Sequence, residues 1–351
     1  MSQVVGRPTP RVEGQLKVTG KARYSADLSL PGTLWGKLLR SPIPYGRIKR
    51  LDTVKAWQVP GVKAVITGRD VTGLRIGRCI YDTPVLADGV VRFIGEKVAA
   101  VAADTEEAAE QALDFIEVEY EEMEPLLGPL EAMAAEASVL HPDLLSYRGL
   151  PVPLERVSNV FAYLRWGKGD VEAGFRESDL IVENTFTTQV THQAYLEPHA
   201  CVVKADPSGG AEIWCCSKTP FAVRRQLSNC LGIDKEKLVF HPLQIGGDFG
   251  GKGGFMDVPV CYFLSLRSGQ PVKMIMDYSE ELTAGNPRHA SIITVRTGLK
   301  SDGTIIAHHM DFVFDSGAYG SMKPAGYLIG ASTCAGPYKM ANCLIEERMV
   351  Y

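Results

Sequence analysis

Residues 246 to 254 read GGDFGGKGG, and no packed helix or strand interior tolerates Gly246, Gly247, Gly250, Gly251, Gly253 and Gly254 crowded around one phenylalanine. Lacking a Cβ, such a run accepts positive φ and can turn backbone N–H groups toward a closely approaching ligand. Val239 to Gln244 reads as a strand running into this loop, and Met256 to Ser268 as an apolar helix starting just after it. Phosphate groups commonly sit where a glycine loop meets a helix N-terminus. The loop is nevertheless not GxGxxG after a first strand, and it lacks the GK[ST] ending that places a hydroxyl on magnesium, so the usual NAD and mononucleotide motifs are disfavoured. Taken alone, it reads equally well as a tight structural turn.

Composition narrows the partners. A chain of 351 residues with 45% apolar content can build two or three cored domains. Its 41 acidic residues against 37 basic leave no surplus to neutralise phosphates, which argues against nucleic acid. The N-terminus lacks the basic-then-apolar layout of a secretory leader, and no apolar run approaches the roughly 18 residues of a membrane span. The expected location is cytoplasmic. The eight cysteines include no CxxC pair, only the adjacent Cys215 and Cys216, so they are expected to be reduced, buried thiols rather than ligands of an iron–sulfur cluster.

Periodicity divides the chain into a first unit over residues 1–125, a proline-rich linker over 126–157 and a second unit over 158–351. In the first, Val62 to Thr67 and Lys97 to Ala102 read as buried strands, and Ile116, Val118 and Tyr120 alternate with acids in a half-exposed one. Asp104 is the expected cap of a helix over Thr105 to Asp114, with Glu107 in the capping-box position. In the second, strands are expected over Ile181 to Val190, Ala200 to Lys204 and Ala211 to Cys216. A helix follows with Thr219 as cap, Pro220 first and Gly232 past its end. Ala290 to Leu299 and Thr304 to Phe314 read as a hairpin around Ser301, Asp302 and Gly303. The last residues, Arg348 to Tyr351, form an apolar strand-like ending that looks cut within a domain or built to pair with another chain.

The loop does not stand alone. PTPRVEG (Pro8 to Gly14), KVTG (Lys17 to Gly20), ARYSAD (Ala22 to Asp27), RSPIP (Arg40 to Pro44), IGEKVAAVA (Ile94 to Ala102), LEPH (Leu196 to His199), the loop, DSGAY (Asp315 to Tyr319) and GPY (Gly336 to Tyr338) occur in this order. With these motifs the chain strongly resembles the N-terminal half of the molybdenum-binding large subunit of the xanthine dehydrogenase and aldehyde oxidase family. The resemblance implies a mixed α/β (α+β) architecture: an α/β hammerhead domain followed by an incomplete first molybdopterin-binding domain. It also implies hydroxylation of a carbon beside a ring nitrogen, or of an aldehyde, with oxygen from water. The general-base glutamate expected for that chemistry lies in the C-terminal half, so the resemblance assigns no catalytic residue to this chain and implies that it is inactive alone.

The same resemblance implies molybdenum–molybdopterin, in its cytosine dinucleotide form, as cofactor, with Gly247, Phe249, Gly250, Gly251 and Lys218 beside it. It implies [2Fe-2S] and FAD on partner chains, namely an iron–sulfur subunit and an FAD subunit, together with a C-terminal molybdopterin-binding half or subunit. Three positions depart from the family's pattern. Asp248 stands where a glycine is common and is expected to point away from an anionic cofactor. Lys218 stands where a glutamine is common and adds a charge. Gly253 replaces the glutamate of purine-oxidising members, which speaks against a purine. Lys252 reads as a phosphate partner or, the preferred expectation, a solvent-exposed lysine; Gln193 and Glu197 have the chemistry of metal ligands or general bases, but the resemblance implies that they shape the cofactor segment. Arg288 reads as an anchor for an acidic substrate or a surface ion pair, and His308 and His309 point to opposite sides of a strand. Two other readings stay open: a non-catalytic assembly or binding paralogue of the same fold without metal, favoured by Lys218 and Asp248, and a generic nucleotide-binding protein.

Overall fold

The computed structural model describes residues 5–150, 153–321 and 333–351. A seven-stranded sheet is its centre, in the order Leu238–His241, Ala211–Cys215, Ala200–Ala205, Val272–Ile275, Leu34–Arg40, Lys97–Ala103, Val62–Thr67. It takes strands from both sequence units, joined where Leu34 to Gly36 pair in parallel with Val272 to Met274. Lys97–Ala103 is buried from Val98 onward, as a continuous apolar run must be when both faces of a strand are covered. Ala99 and Val101 meet the helix Glu106–Asp114 through Ala112, while Ala100 and Ala102 share a core with Leu264 of the helix Val258–Ser268. Each Val or Leu so buried contributes about 1.5–3 kcal/mol.

Ion pairs also cross between the units. Arg40 bonds Glu280 at 2.8 Å and Asp257 at 3.4 Å, and the Lys97 ammonium donates to the Met256 carbonyl at 2.9 Å. A three-stranded sheet of Val90–Val91, Gly46–Asp52 and Glu117–Glu122 completes the first unit. The helix over 106–114 is capped by Thr105, whose hydroxyl accepts from Ala108 N, and not by Asp104, which instead pairs with Lys63.

The second sheet has five strands in the order Leu180–Thr188, Ser291–Leu299, Ile305–Asp315, Asn342–Val350, Val160–Lys168. The expected hairpin is present, and the apolar ending is an inner strand paired on both sides within this chain. Leu180–Thr188 is an edge strand, exposed along its whole length. Within the stretch over 126–157, Leu140, Leu144 and Tyr147 are buried against this sheet. Among the described residues no helix is long and apolar enough to cross a membrane.

Candidate functional site at the glycine loop

The strand before the loop is shorter than expected, Leu238–His241, so the loop's geometry depends on side chains beneath it. Glu197 is the first. Its Oε2 accepts from the Gly246 N–H at 2.7 Å and from the Lys252 ammonium at 2.6 Å. Lys252 is therefore not a surface lysine. It is wholly buried, with its nitrogen 4.7 Å from the centre of the Tyr195 ring, and a buried ammonium persists only when paired in this way.

Below that layer sits a second acid. Glu281, on the helix Tyr278–Ala284, accepts from the Tyr195 hydroxyl at 2.6 Å, from His199 Nδ1 at 2.9 Å and from the His199 N–H. Burial pushes its carboxyl upward, but the His199 bonds and charge together with the Tyr195 hydroxyl overcome this and hold it at about 2. The same burial, reinforced by Glu281, raises the Tyr195 phenol. Neither Tyr195 nor Glu281 stands out in the sequence, because they are 86 positions apart and no local pattern joins them.

Asp248 closes the loop on itself. Its Oδ1 accepts from Lys252 N at 2.7 Å, its Oδ2 from Gly250 N at 3.0 Å, and its carbonyl from Gly251 N at 2.8 Å. The same Oδ2 receives the Lys218 ammonium at 2.7 Å. Burial works to raise this carboxyl, yet the Lys218 bond and the two N–H groups hold it below its usual value. The charge that would repel an anionic ligand is thus spent inside the loop.

Neighbouring segments fix the loop from outside. Lys218 N donates to the Lys252 carbonyl at 3.0 Å, and the Thr219 hydroxyl donates to the Gly253 carbonyl at 3.0 Å. The helix Pro220–Leu231 has its expected Thr219 at the N-cap, Pro220 in its first turn and a left-handed Gly232, but the Thr219 hydroxyl bonds the loop instead of the helix's own N–H groups. Among the described residues Arg288 makes no ion pair; its guanidinium donates to the Phe249 carbonyl at 2.8 Å. Gln193 donates to the Asn286 carbonyl at 2.9 Å. His308 and His309 do diverge, to Thr297 and to Glu346.

The backbone here is strained. Among the described residues the non-glycine residues with positive φ are Ala194, Phe249 and Met256, at 52°, 44° and 38°, each costing of order 1–3 kcal/mol. All three lie in or against the loop. Gly250 takes φ of 100°, and a Cβ there would meet the Arg288 guanidinium at 2.9 Å. Phe249 is 66% exposed, which presents an apolar ring at the lip of a rigid, donor-lined turn.

Residues 154–351 match the model of the molybdopterin cofactor-binding domain, and residues 19–124 that of the aldehyde oxidase and xanthine dehydrogenase a/b hammerhead domain. This chain belongs to that molybdopterin-binding family. It is 37% identical over 350 residues to a probable xanthine dehydrogenase subunit from Bacillus subtilis, an alignment covering 99% of this chain and 45% of that protein. With the nicotinate dehydrogenase large molybdopterin subunit of Eubacterium barkeri it shares 32% identity, covering 99% of this chain and 79% of that one. Among solved structures, CO dehydrogenase from Oligotropha carboxidovorans superposes with a TM-score of 0.86 at 29% identity, covering 99% and 44% of the two chains. The aldehyde oxidoreductase from Desulfovibrio gigas gives 0.88 at 27% identity, covering 97% and 38%. The chain therefore spans less than half the length of most of the family members it matches here. The mixed α/β architecture of hammerhead followed by molybdopterin-binding domain is the family's own.

The loop's free groups suit such a cofactor. Lys218, Gly247, Phe249, Gly250 and Gly251 come together here, but the N–H groups of Gly250 and Gly251 are already taken by Asp248. Among the described residues, the N–H groups of Gly247, Asp248, Phe249, Gly253 and Gly254 have no protein partner. An anion-accepting set of uncharged donors around an exposed aromatic ring, with its one carboxylate neutralised, fits an anionic pterin cofactor.

Proposed function

We propose that this chain is the molybdopterin-holding N-terminal portion of a molybdenum hydroxylase that oxidises an aromatic N-heterocycle or an aldehyde with oxygen derived from water. The observation that carries the reading is that the three non-glycine residues with positive φ among the described residues converge on a family-typed loop in which the amides of Gly247, Asp248, Phe249, Gly253 and Gly254 have no protein partner among the described residues and the Phe249 ring is exposed. Phe249, the amides of Gly247 and Gly253, and Lys218 are the groups that would hold the cofactor, in its cytosine dinucleotide form. Bound there, molybdenum supplies the two-electron redox chemistry of hydroxylation. The chain's own residues hold the loop rigid, supply N–H donors and keep Asp248 from repelling the ligand.

Relatives named nicotinate dehydrogenase, nicotine 6-hydroxylase and aldehyde oxidoreductase support a heterocycle or aldehyde as substrate. Electrons would leave through [2Fe-2S] and FAD groups on partner chains, and a complementary molybdopterin-binding segment would supply the general base. Buried, unbridged thiols at Cys201, Cys215 and Cys261 support a reducing, cytoplasmic setting. A metal-free binding paralogue loses its motive, because Lys218 and Asp248, the residues that favoured it, neutralise one another.

The test is the native mass and molybdenum content of the assembly purified from its own host. Stoichiometric molybdenum with companion chains is the expected result. A full complex without metal overturns the reading. In the metal-loaded enzyme, Phe249→Ala is expected to alter the molybdenum spectrum and lower turnover, and an unchanged spectrum and rate would remove Phe249 from the site.

A further inference from the structure

Lys218, Asp248 and Gly253 form one unit. A Cβ on Gly253 would lie 3.6 Å from Lys218 Cε, so the lysine stem passes within van der Waals range of this glycine. It ends on Asp248, which is itself fixed by Gly250 N and Lys252 N. An ammonium has three N–H donors. One is spent on Asp248, and among the described residues the other two have no partner. The Lys218 side chain remains 42% exposed against 21% for Asp248, so the free donors are on the open side.

A flexible lysine ordinarily makes poorly directed contacts and loses side-chain entropy when it binds. Here the bond to Asp248 already draws the ammonium over the loop. We propose that Asp248 is a positioning residue that aims Lys218, beside Gly253, so that its two free N–H groups grip an anionic oxygen of the ligand at the loop. The inference rests on the molybdopterin reading of this site. The anionic group belongs either to the cofactor or to a carboxylate-bearing substrate, and both are oxygen anions of the same chemistry.

The experiment compares the assembled parent enzyme with Lys218→Arg, Lys218→Met, Asp248→Asn and the double variant Lys218→Met/Asp248→Asn. The readouts are molybdenum content, the electron paramagnetic spectrum after dithionite reduction, and nicotinate binding. Thermal melts identify any variant that fails to fold. If the cofactor supplies the anion, Lys218→Met and the double variant lose molybdenum at least about tenfold, the worth of one charge-assisted hydrogen bond. Lys218→Arg retains it. If a substrate supplies the anion, molybdenum is kept, and nicotinate binding weakens by the same factor in both Met variants.

Asp248→Asn, which keeps the shape but loosens the aim, is expected to show a smaller loss of the same kind and a changed spectrum. Full recovery in the double variant overturns the proposal, because Lys218 would then only neutralise Asp248. Variants matching the parent in metal, spectrum and nicotinate binding also overturn it while leaving the molybdopterin reading intact. A parent assembly without molybdenum removes that reading and this proposal together.

Discussion

Glu281 beneath the glycine loop and Glu347 in the five-stranded sheet are equally withdrawn from water, at 1% and 0% exposure. Yet their carboxyls sit far apart, at about 2 and about 7. Glu281 is met by a tyrosine hydroxyl, an imidazole and a backbone N–H. Glu347 is flanked on its own strand by Ile345 and Met349 and paired across strands with Phe312 and Leu164, and neither of its oxygens has a hydrogen-bond partner among the described residues. Burial is the cause that raises it. Of these two buried acids, the one beneath the loop is compensated and the one in the sheet is not. Partners, not depth, decide the charge state.

The largest expected effect comes from removing the compensated acid. Glu281→Ala leaves the Tyr195 hydroxyl, His199 Nδ1 and the His199 N–H without their acceptor in a dry site. Loss of one member of such a network costs about 3–5 kcal/mol, read by denaturant unfolding of the folded assembly. A loss under about 1 kcal/mol would mean that the network is no more than a surface-grade contact.

Removing the uncompensated acid is expected to act in the opposite direction and to depend on pH. A carboxyl raised from 4.5 in the open chain to about 7 in the fold favours the folded state fully below the lower value. That contribution falls as pH rises between the two and is gone above about 7, a difference of about 3 kcal/mol at 1.36 kcal/mol per unit. Glu347→Met, similar in volume and free of charge, is therefore expected to gain about 2–3 kcal/mol over the parent at pH 8 and markedly less at pH 5. Equal gains at both would show that Glu347 has found a partner. A loss at pH 8 would show that the acid is ionised and compensated after all.

The pair Glu346 and Glu347 also marks how far the sequence can be read. The strand's end is legible from its apolar Met349 to Tyr351, and so are the hairpin before it and the family-typed loop, because each rests on local sequence. Which of two adjacent glutamates faces the core is not, since a strand sends neighbours to opposite sides and one residue of register reverses them. Glu346 turns to Tyr163 and His309, and Glu347 turns inward. The burial of Lys252 is hidden for the same kind of reason: its partner Glu197 lies 55 positions away, and only the fold brings the acid beneath it. Asp104 and Thr105 both suit a cap, and the choice between them falls to a hydrogen bond that composition does not encode.

The smallest effect on stability is expected at the loop's outer clamp, and it sharpens the contrast between layers. Arg288 is exposed, so its bond to the Phe249 carbonyl competes with water and contributes about 1 kcal/mol or less. Its effect on local order is larger, because Phe249 is held at a φ of 44° that it would leave if released. Arg288→Ala should therefore shift global unfolding by less than about 1 kcal/mol while speeding hydrogen exchange at the Gly251 N–H, which depends on the closed turn to Asp248. Unchanged exchange would mean that Asp248 closes the loop unaided. A global loss as large as that of Glu281→Ala would erase the distinction between a buried foundation that sets stability and an outer clamp that sets the shape of the site.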